Sequence, residues 1–270
     1  MVRIVTRLPA NLSALSILAI ACIPAAAQER AKEKALYVRL LYSSTWVVVL
    51  KPAQPAKPGT VSWNEGSGWV VSAKRKLVVT NYHVVGDSKE VQVFFPYYVN
   101  DRALTARKPY VALIAQGGGS PGTVIAADKA RDLAVIQLKS APSWIKALPV
   151  APQGVTAGER VYNLGNPGGD TSLWQFSAST VLDVRKRELK SKTVKGEIRV
   201  RAVIIETDDK KTRKGQSGSL LVNPRGELVG VVQSVSQTEP QTTMSIERSD
   251  VLEFLNGHGV KPLMAERRKQ

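Results

Sequence analysis

The chain holds two histidines, His83 and His258, so an imidazole base in it must be one of them. His258 lies in Asn256-Gly257-His258-Gly259, a polar turn, and reads as a solvated structural residue. His83 emerges from the β-rich string Leu77-Val-Val-Thr-Asn-Tyr-His-Val-Val85. A side chain at the end of a buried strand is held rigidly and can face a cleft, although a lone histidine there is more often a satisfied core residue. A second string, Lys214-Gly-Gln-Ser-Gly-Ser-Leu-Leu-Val222, places an alcohol, Ser217, two residues after Gly215. Glycine tolerates positive φ, and a turn of that kind aims the amides of Gly215 and Ser217 at one point, as an oxyanion hole requires. The plainer meaning of the string is a Gly-Ser turn before a strand. A serine hydroxyl is too weakly acidic to attack an amide unaided; it needs an imidazole, and the imidazole needs an anion to fix its tautomer. Ala127-Asp-Lys-Ala-Arg-Asp-Leu-Ala-Val-Ile-Gln-Leu138 offers two. Asp132 stands at the mouth of an apolar strand and is preferred; Asp128 sits in a charged turn and reads as solvated. Together His83, Asp132 and Ser217 would carry out nucleophilic acyl transfer.

The elements that must position these residues are short and rich in Val, Ile and Leu, and they are bounded by Gly, Pro, Asn or Asp, which marks strands. They are Thr45–Leu50, Gly68–Val71, Leu77–Thr80, Val91–Phe95, Leu133–Leu138, Arg160–Leu164, Val203–Glu206, Leu220–Val222 and Glu227–Val232. Strands at this spacing suggest barrels or sandwiches. Helices are expected over Ala31–Leu41 and over Asp250–Leu255, the latter after a Ser249 cap and ending at Asn256-Gly257. Gln116–Gly122 reads as a flexible turn, and Arg185–Lys195 as the exposed, basic tip of a hairpin.

With 270 residues, 43% hydrophobic and 22% charged, the composition is that of a globular protein, not of a disordered chain. Arg3 and Arg7, the apolar run Leu15–Ile23 and Ala25-Ala26-Ala27 follow the order of a secretory signal peptide, with cleavage expected after Ala27. The run is too short to span a bilayer comfortably. The single cysteine, Cys22, lies inside that segment, which removes thiol nucleophiles, thiolate metal sites and disulfides from the mature chain. Cys22 follows Ala19-Ile20-Ala21, with Ala where a lipoprotein signal usually has Leu, so lipid attachment is not the favoured processing.

The blocks TNYHVV, DLAVIQL and GQSGSLLVN, in the order His, Asp, Ser, resemble the motifs of chymotrypsin-like serine proteases, and specifically of their bacterial HtrA-like (DegP-like) branch. GSGWVVS, VYNLGNPGG and GELVGVVQSV support the resemblance, which covers roughly residues 40–255. It implies an all-β (mainly) fold of two antiparallel six-stranded β-barrels with peripheral N- and C-terminal helices. The expected division is a signal peptide (1–27), an N-terminal segment and first barrel with His83 and Asp132 (28–148), a second barrel with Ser217 and a C-terminal helix (149–258), and a basic tail (259–270). By position it makes Ser217 the nucleophile, His83 the general base and then acid, Asp132 the orienting carboxylate and the Gly215 and Ser217 amides the oxyanion hole. Gln233, Ser234 and Val235 would be the strand segment that pairs with an extended substrate. Gln216, Ser219 and Leu220 replace the Asn, second Gly and Pro usual in the branch, and Ser219 must find a backbone angle that a non-glycine residue tolerates. The aspartate that animal zymogens pair with a new N-terminus is absent before Ser217. About 53 residues follow Ser217, too few for the closing strands plus a PDZ domain.

These readings describe an exported serine endopeptidase, periplasmic or secreted, that acts on protein or peptide substrates without metal or cofactor. The formal charge of +16 fits either a solvated basic surface or attraction to an anionic envelope surface; no nucleic-acid partner is expected of an exported chain without a binding motif. The charged loop Asp208–Gly215 reads either as a plain solvated loop or, as the sharper hypothesis, as one in which Lys211 or its neighbours line the primary specificity pocket and disfavour Lys or Arg at the cleaved bond. The alternative is a catalytically silent two-barrel protein that binds peptides or envelope components. An α/β-hydrolase esterase is disfavoured, since it would need glycine at position 219 and the order Ser, acid, His.

Overall fold

The computed structural model describes residues 24–51, 62–114, 116–169, 171–193, 196–235 and 241–266. The expected signal peptide falls outside these residues except for positions 24–27. Helix α1 (Ala25–Leu41) leads into β1 (Ser44–Leu50), β2 (Trp63–Ser72), β3 (Leu77–Thr80) and a single helical turn, α2 (Tyr82–Val85). There follow β4 (Glu90–Phe94), the short pair β5 (Tyr98–Val99) and β6 (Arg102–Ala103), helix α3 (Arg107–Ile114), β7 (Ser120–Asp128) and β8 (Leu133–Leu138). The second half comprises β9 (Arg160–Gly165), β10 (Gln175–Thr193), β11 (Gly196–Thr207), β12 (Leu220–Val222), β13 (Leu228–Val235), β14 (Thr243–Glu247) and α4 (Arg248–Gly257).

The strands close into two antiparallel six-stranded barrels, in the orders β1-β2-β3-β8-β7-β4 and β10-β11-β14-β13-β12-β9. Closure removes the unpaired edges that an open sheet of this length would expose. β1 and β8 are buried along almost their whole length, which explains why their sequences read as continuous apolar runs rather than alternating ones. Val47, Val70, Val78 and Ile136 fill the first barrel, and Val161, Val181, Leu221 and Val229 the second. A larger cluster joins the two halves: Trp46, Trp69 and Leu133 from the first meet Leu164, Leu220 and Val231 from the second. α1 buries Leu36 and Leu40, and its Tyr37 ring meets Phe176 of β10 edge-on at 5.9 Å.

The expected fold is the observed one, with differences in detail. α1 starts at Ala25, because Ala25–Gln28 are good helix formers that continue the pattern upstream of Ala31. β2 begins at Trp63, since Trp63–Ser67 pair residue by residue with β1 from Leu50 to Trp46; a partner strand overrides weak propensity. Of Gln116–Gly122 only the first residues turn, and Ser120 already opens β7. The basic stretch 185–193 is not a loop but the far part of a long ribbon, paired from Val184↔Ile205 out to Thr193↔Gly196. Charges facing each other across it offset the repulsion, as in Arg201–Glu188 (2.7 Å) and Lys190–Glu197 (3.2 Å). α4 is capped by Glu247, whose carboxylate accepts from the Ser249 amide at 2.6 Å, so Ser249 is inside the helix and not its cap.

Because one cluster spans both barrels, they should unfold together. Leu164→Ala should cost about 2–5 kcal/mol and leave a single melting transition. Calorimetry resolving two transitions, with only the later half shifted, would contradict this.

Candidate active site

β3 ends at Thr80, and Asn81 in extended conformation starts the turn of α2 that carries His83. Across the first barrel, the Asp128–Asp132 turn between β7 and β8 delivers Asp132. Asp132 is fully buried and has φ +55°, a left-handed angle that aspartate adopts more readily than most residues. Its carboxylate is fully engaged. Oδ1 accepts from the His83 amide at 2.7 Å, and Oδ2 accepts from His83 Nδ1–H at 2.6 Å and from the Gln233 side-chain amide at 3.0 Å. The Asn81 side chain donates to the Asp132 carbonyl at 2.8 Å, securing the strained residue from behind. An ionised carboxylate accepts only, so this pairing puts the imidazole proton on Nδ1 and leaves Nε2 as an acceptor.

The turn bearing Asp132 is tied to the second barrel. Asp128 Oδ1 caps the amides of Ala130 (2.8 Å) and Arg131 (3.0 Å), and its Oδ2 accepts from the Arg131 guanidinium at 2.9 Å. That guanidinium also meets Asp250 (3.4 Å) and Glu253 on α4, while the Arg201 amide donates to the Ala130 carbonyl at 2.8 Å. Asp128 was expected to be solvated; its side chain is only 19% exposed, because it is the inner anchor of this turn. Burial pushes its carboxyl up, but the amide and guanidinium of Arg131 outweigh that and hold it below the usual range.

Ser217 arrives on the loop before β12. Its carbonyl accepts from the Ser67 amide at 2.7 Å, and the Gly218 amide donates to the Val232 carbonyl at 2.8 Å. Gly218 has φ +86°, and a Cβ there would lie 2.2 Å from the Ser67 carbonyl oxygen, so only glycine lets the loop press against the first barrel. Ser219 lies outside the left-handed region, which answers the question its sequence raised. It is buried and donates to Asn163 Oδ1 at 2.7 Å. Gln216 accepts from the Arg213 amide through its side-chain oxygen at 2.6 Å, closing the loop on itself. Among the described residues no group accepts from the amides of Gly215 or Ser217.

The Ser217 hydroxyl donates to the Gln233 carbonyl at 3.1 Å, not to the His83 ring. Gln233 therefore connects the alcohol to the carboxylate–imidazole pair, with its carbonyl on Ser217 and its amide on Asp132. The sequence reading assigned Gln233 only to a substrate strand and missed this second contact. The available signal was an amide inside the apolar string Leu228–Val235, since a buried polar side chain there must find a partner. β12 accompanies β13 only as far as Val231, so Gln233 meets Ser217 instead of a strand, and Ser234 and Val235 continue, half-buried, beside β14.

Lys211 is exposed, and its amide donates to Asp209 Oδ1 at 2.8 Å. Asp209 escaped notice in the sequence because it sits in a run of charges. It is buried, accepts from Thr212 Oγ1 at 2.9 Å and from Ser177, and so roots the loop in the second barrel. Lys210, Lys211, Arg213 and Lys214 are all exposed, and none has a carboxylate partner among the described residues.

Comparison with known proteins gives the family and the fold. The model of the trypsin-like peptidase domain matches residues 66–231. A probable periplasmic serine endoprotease, DegP-like, of Buchnera aphidicola is 27% identical over 62% of this chain and 29% of its own length. The serine protease Do-like HtrA of Lactococcus lactis is 25% identical over 74% and 46%. The chain thus spans less than half the length of these relatives. Among solved structures, the active form of the Rv3671c protease from M. tuberculosis has a TM-score of 0.57 at 22% identity, covering 85% of this chain and 86% of that one. The HtrA-type protease AlgW with a decapeptide has a TM-score of 0.59 at 18% identity, covering 84% and 67%. Both show the fold.

A carboxyl held low in the folded state stabilises above its unfolded pKa and loses that contribution as pH falls through the folded value. The Asp128 anchor should therefore weaken on acidification from about pH 4 downward. Asp128→Asn should flatten the acid side of the melting temperature against pH. An unchanged slope would remove Asp128 from the clasp.

Proposed function

Since the chain belongs to the trypsin-like peptidase family, we propose that it is a serine endopeptidase that cleaves peptide bonds through an acyl-enzyme on Ser217. The observation that carries the reading is the hydrogen bond of His83 Nδ1 to the buried Asp132 carboxylate, with Gln233 linking that pair to the Ser217 hydroxyl. In the first half-reaction Ser217 Oγ attacks the scissile carbonyl as His83 Nε2 takes its proton. The resulting oxyanion accepts from the Gly215 and Ser217 amides. His83 then protonates the leaving amine as the C–N bond breaks. In the second half-reaction the imidazole takes a proton from water, the hydroxide attacks the acyl carbon, and Ser217 leaves with its proton restored. Asp132 stays ionised throughout and stabilises the imidazolium. Before attack the Ser217 hydroxyl must rotate from the Gln233 carbonyl toward Nε2, a side-chain step much faster than typical turnover.

Gln233, Ser234 and Val235 then align an extended substrate by backbone pairing. Lys211 and the neighbouring cations, which have no carboxylate partner among the described residues, favour acidic or neutral substrates over basic ones at the cleaved bond. Export to the periplasm or beyond completes the reading. It rests on the order of residues 1–27 and on the periplasmic description of the Buchnera relative. The engaged Ser217 hydroxyl favours one other reading, a silent two-barrel protein that binds peptides without cutting them.

Ser217→Ala or His83→Ala should lower kcat/KM on a peptide substrate more than about a thousandfold and leave circular dichroism unchanged. A fluorophosphonate should label the native protein at Ser217; proteolysis retained by purified Ser217→Ala would refute the assignment, and absence of labelling would favour the silent binder. A peptide library should show poor cleavage after Lys and Arg. Strong preference for them would remove Lys211 from the specificity pocket.

A further inference from the structure

Arg107 opens α3, a helix inserted in the first barrel that the sequence reading did not anticipate, and its side chain is 11% exposed. One arm of the guanidinium pairs with Glu65 on β2 and another donates to the Pro167 carbonyl at 3.1 Å. The Glu65 carboxylate also accepts from the Trp46 indole N–H at 3.1 Å, and the guanidinium carbon lies 4.8 Å from the centre of the same ring. A buried ion pair of this kind contributes little net stability, because desolvation offsets its attraction; its best-attested use is to select one arrangement.

The arrangement it selects lies beside Ser217. Pro167 precedes Gly168, whose amide donates to the Lys214 carbonyl at 2.6 Å. A peptide unit is planar and trans, so with the Lys214 C=O fixed toward Gly168, the Gly215 N–H at the other end of that unit points away from it. The next unit is fixed as well. The Gly215 carbonyl accepts from Ser67 Oγ at 3.2 Å, and Ser67 Oγ accepts in turn from the Asn166 amide at 2.8 Å. Gly215 has φ +96°, and a Cβ on it would fall 2.2 Å from the Gly168 nitrogen, so the two segments are in direct contact. The α3 side also holds residues 171–173 through Arg107 N–H to Thr171 O and Leu173 N–H to Thr105 O, each 2.8 Å.

We propose that the Arg107–Glu65 pair is a positioning device that, through Pro167 and Gly168, keeps the 214–215 peptide oriented with the Gly215 amide available to an oxyanion. This rests on the reading of Gly215 as an oxyanion donor. The role assigned to both side chains is positional. When the pair is broken, the Pro167 carbonyl loses its donor, Gly168 shifts, and the 214–215 peptide is free to turn its carbonyl toward the place of its amide.

Arg107→Met and Glu65→Gln in the full chain test this, with Lys108→Ala on the exposed side of α3 as control. An oxyanion donor acts in the transition state, so both variants should lose kcat, about tenfold to a hundredfold, with KM changed less than about threefold. Arg107→Lys, which keeps the charge but not the fork that bridges Glu65 and Pro167, should recover only part of the loss. Amide hydrogen exchange should quicken in 209–217 and 166–169 and stay unchanged in β3 and β8. Wild-type kcat and unchanged exchange in a folded Arg107→Met protein overturn the proposal, and if that variant fails to fold, Glu65→Gln decides by the same criteria. If the native protein hydrolyses no peptide, the protease reading fails separately, and exchange alone judges the link between Arg107 and the loop.

Discussion

One buried carboxylate organises this molecule. Asp132 has no contact with solvent, and an anion there is tolerable only when its oxygens are filled by donors. The donors come from both halves of the chain: the amide and ring of His83 in the first barrel, and the side chain of Gln233 in the second. The constraint that satisfies Asp132 therefore also fixes the imidazole tautomer, sets the His83 turn against β8, and brings β13 up to the cleft. The strained backbone of Asp132 is held by Asn81 behind it and by the turn that Asp128 and Arg131 fasten to α4.

The loop that carries Ser217 follows the same logic with backbone groups. Its carbonyls at Lys214, Gly215 and Ser217 are bound respectively by Gly168, the Ser67 hydroxyl and the Ser67 amide, while Asp209 roots its beginning. With these carbonyls taken, the amides of Gly215 and Ser217 are left over. A loop can offer free amides without collapsing onto them only if its other polar groups are committed elsewhere. The ion pair of Arg107 and Glu65 belongs to this scheme, placed in the first barrel and acting on the rim of the second.

What was legible in the sequence was whatever depends on local pattern. Leu77–Thr80, Leu133–Leu138 and Leu220–Val222 are strands to the residue, since an apolar run between breakers has one reading at that length. The ordered strings around His83, Asp132 and Ser217 pointed to the candidate site because each places its polar residue beside such a run. What was not legible depends on partners far along the chain. Asn64–Ser67 form a strand only because β1 lies beside them, and the basic stretch 185–193 only because β11 returns along it. The second roles of Gln233, Asp128 and Asp209 were hidden for the same reason: a polar residue does not announce which distant group it will meet. α3 and its Arg107 carry no motif.

The central claim is that the buried carboxylate fixes the His83 tautomer for work at Nε2, and nitrogen-15 NMR of the imidazoles measures it directly. With two histidines in the chain, assignment is simple, and His258, whose Nδ1–H donates to the Phe254 carbonyl at 2.8 Å, serves as an internal reference. The account predicts an Nδ1–H tautomer for neutral His83, with a slowly exchanging proton that becomes labile in Asp132→Asn while His258 is unaffected. An Nε2–H tautomer for His83, or a proton indifferent to that substitution, would contradict it.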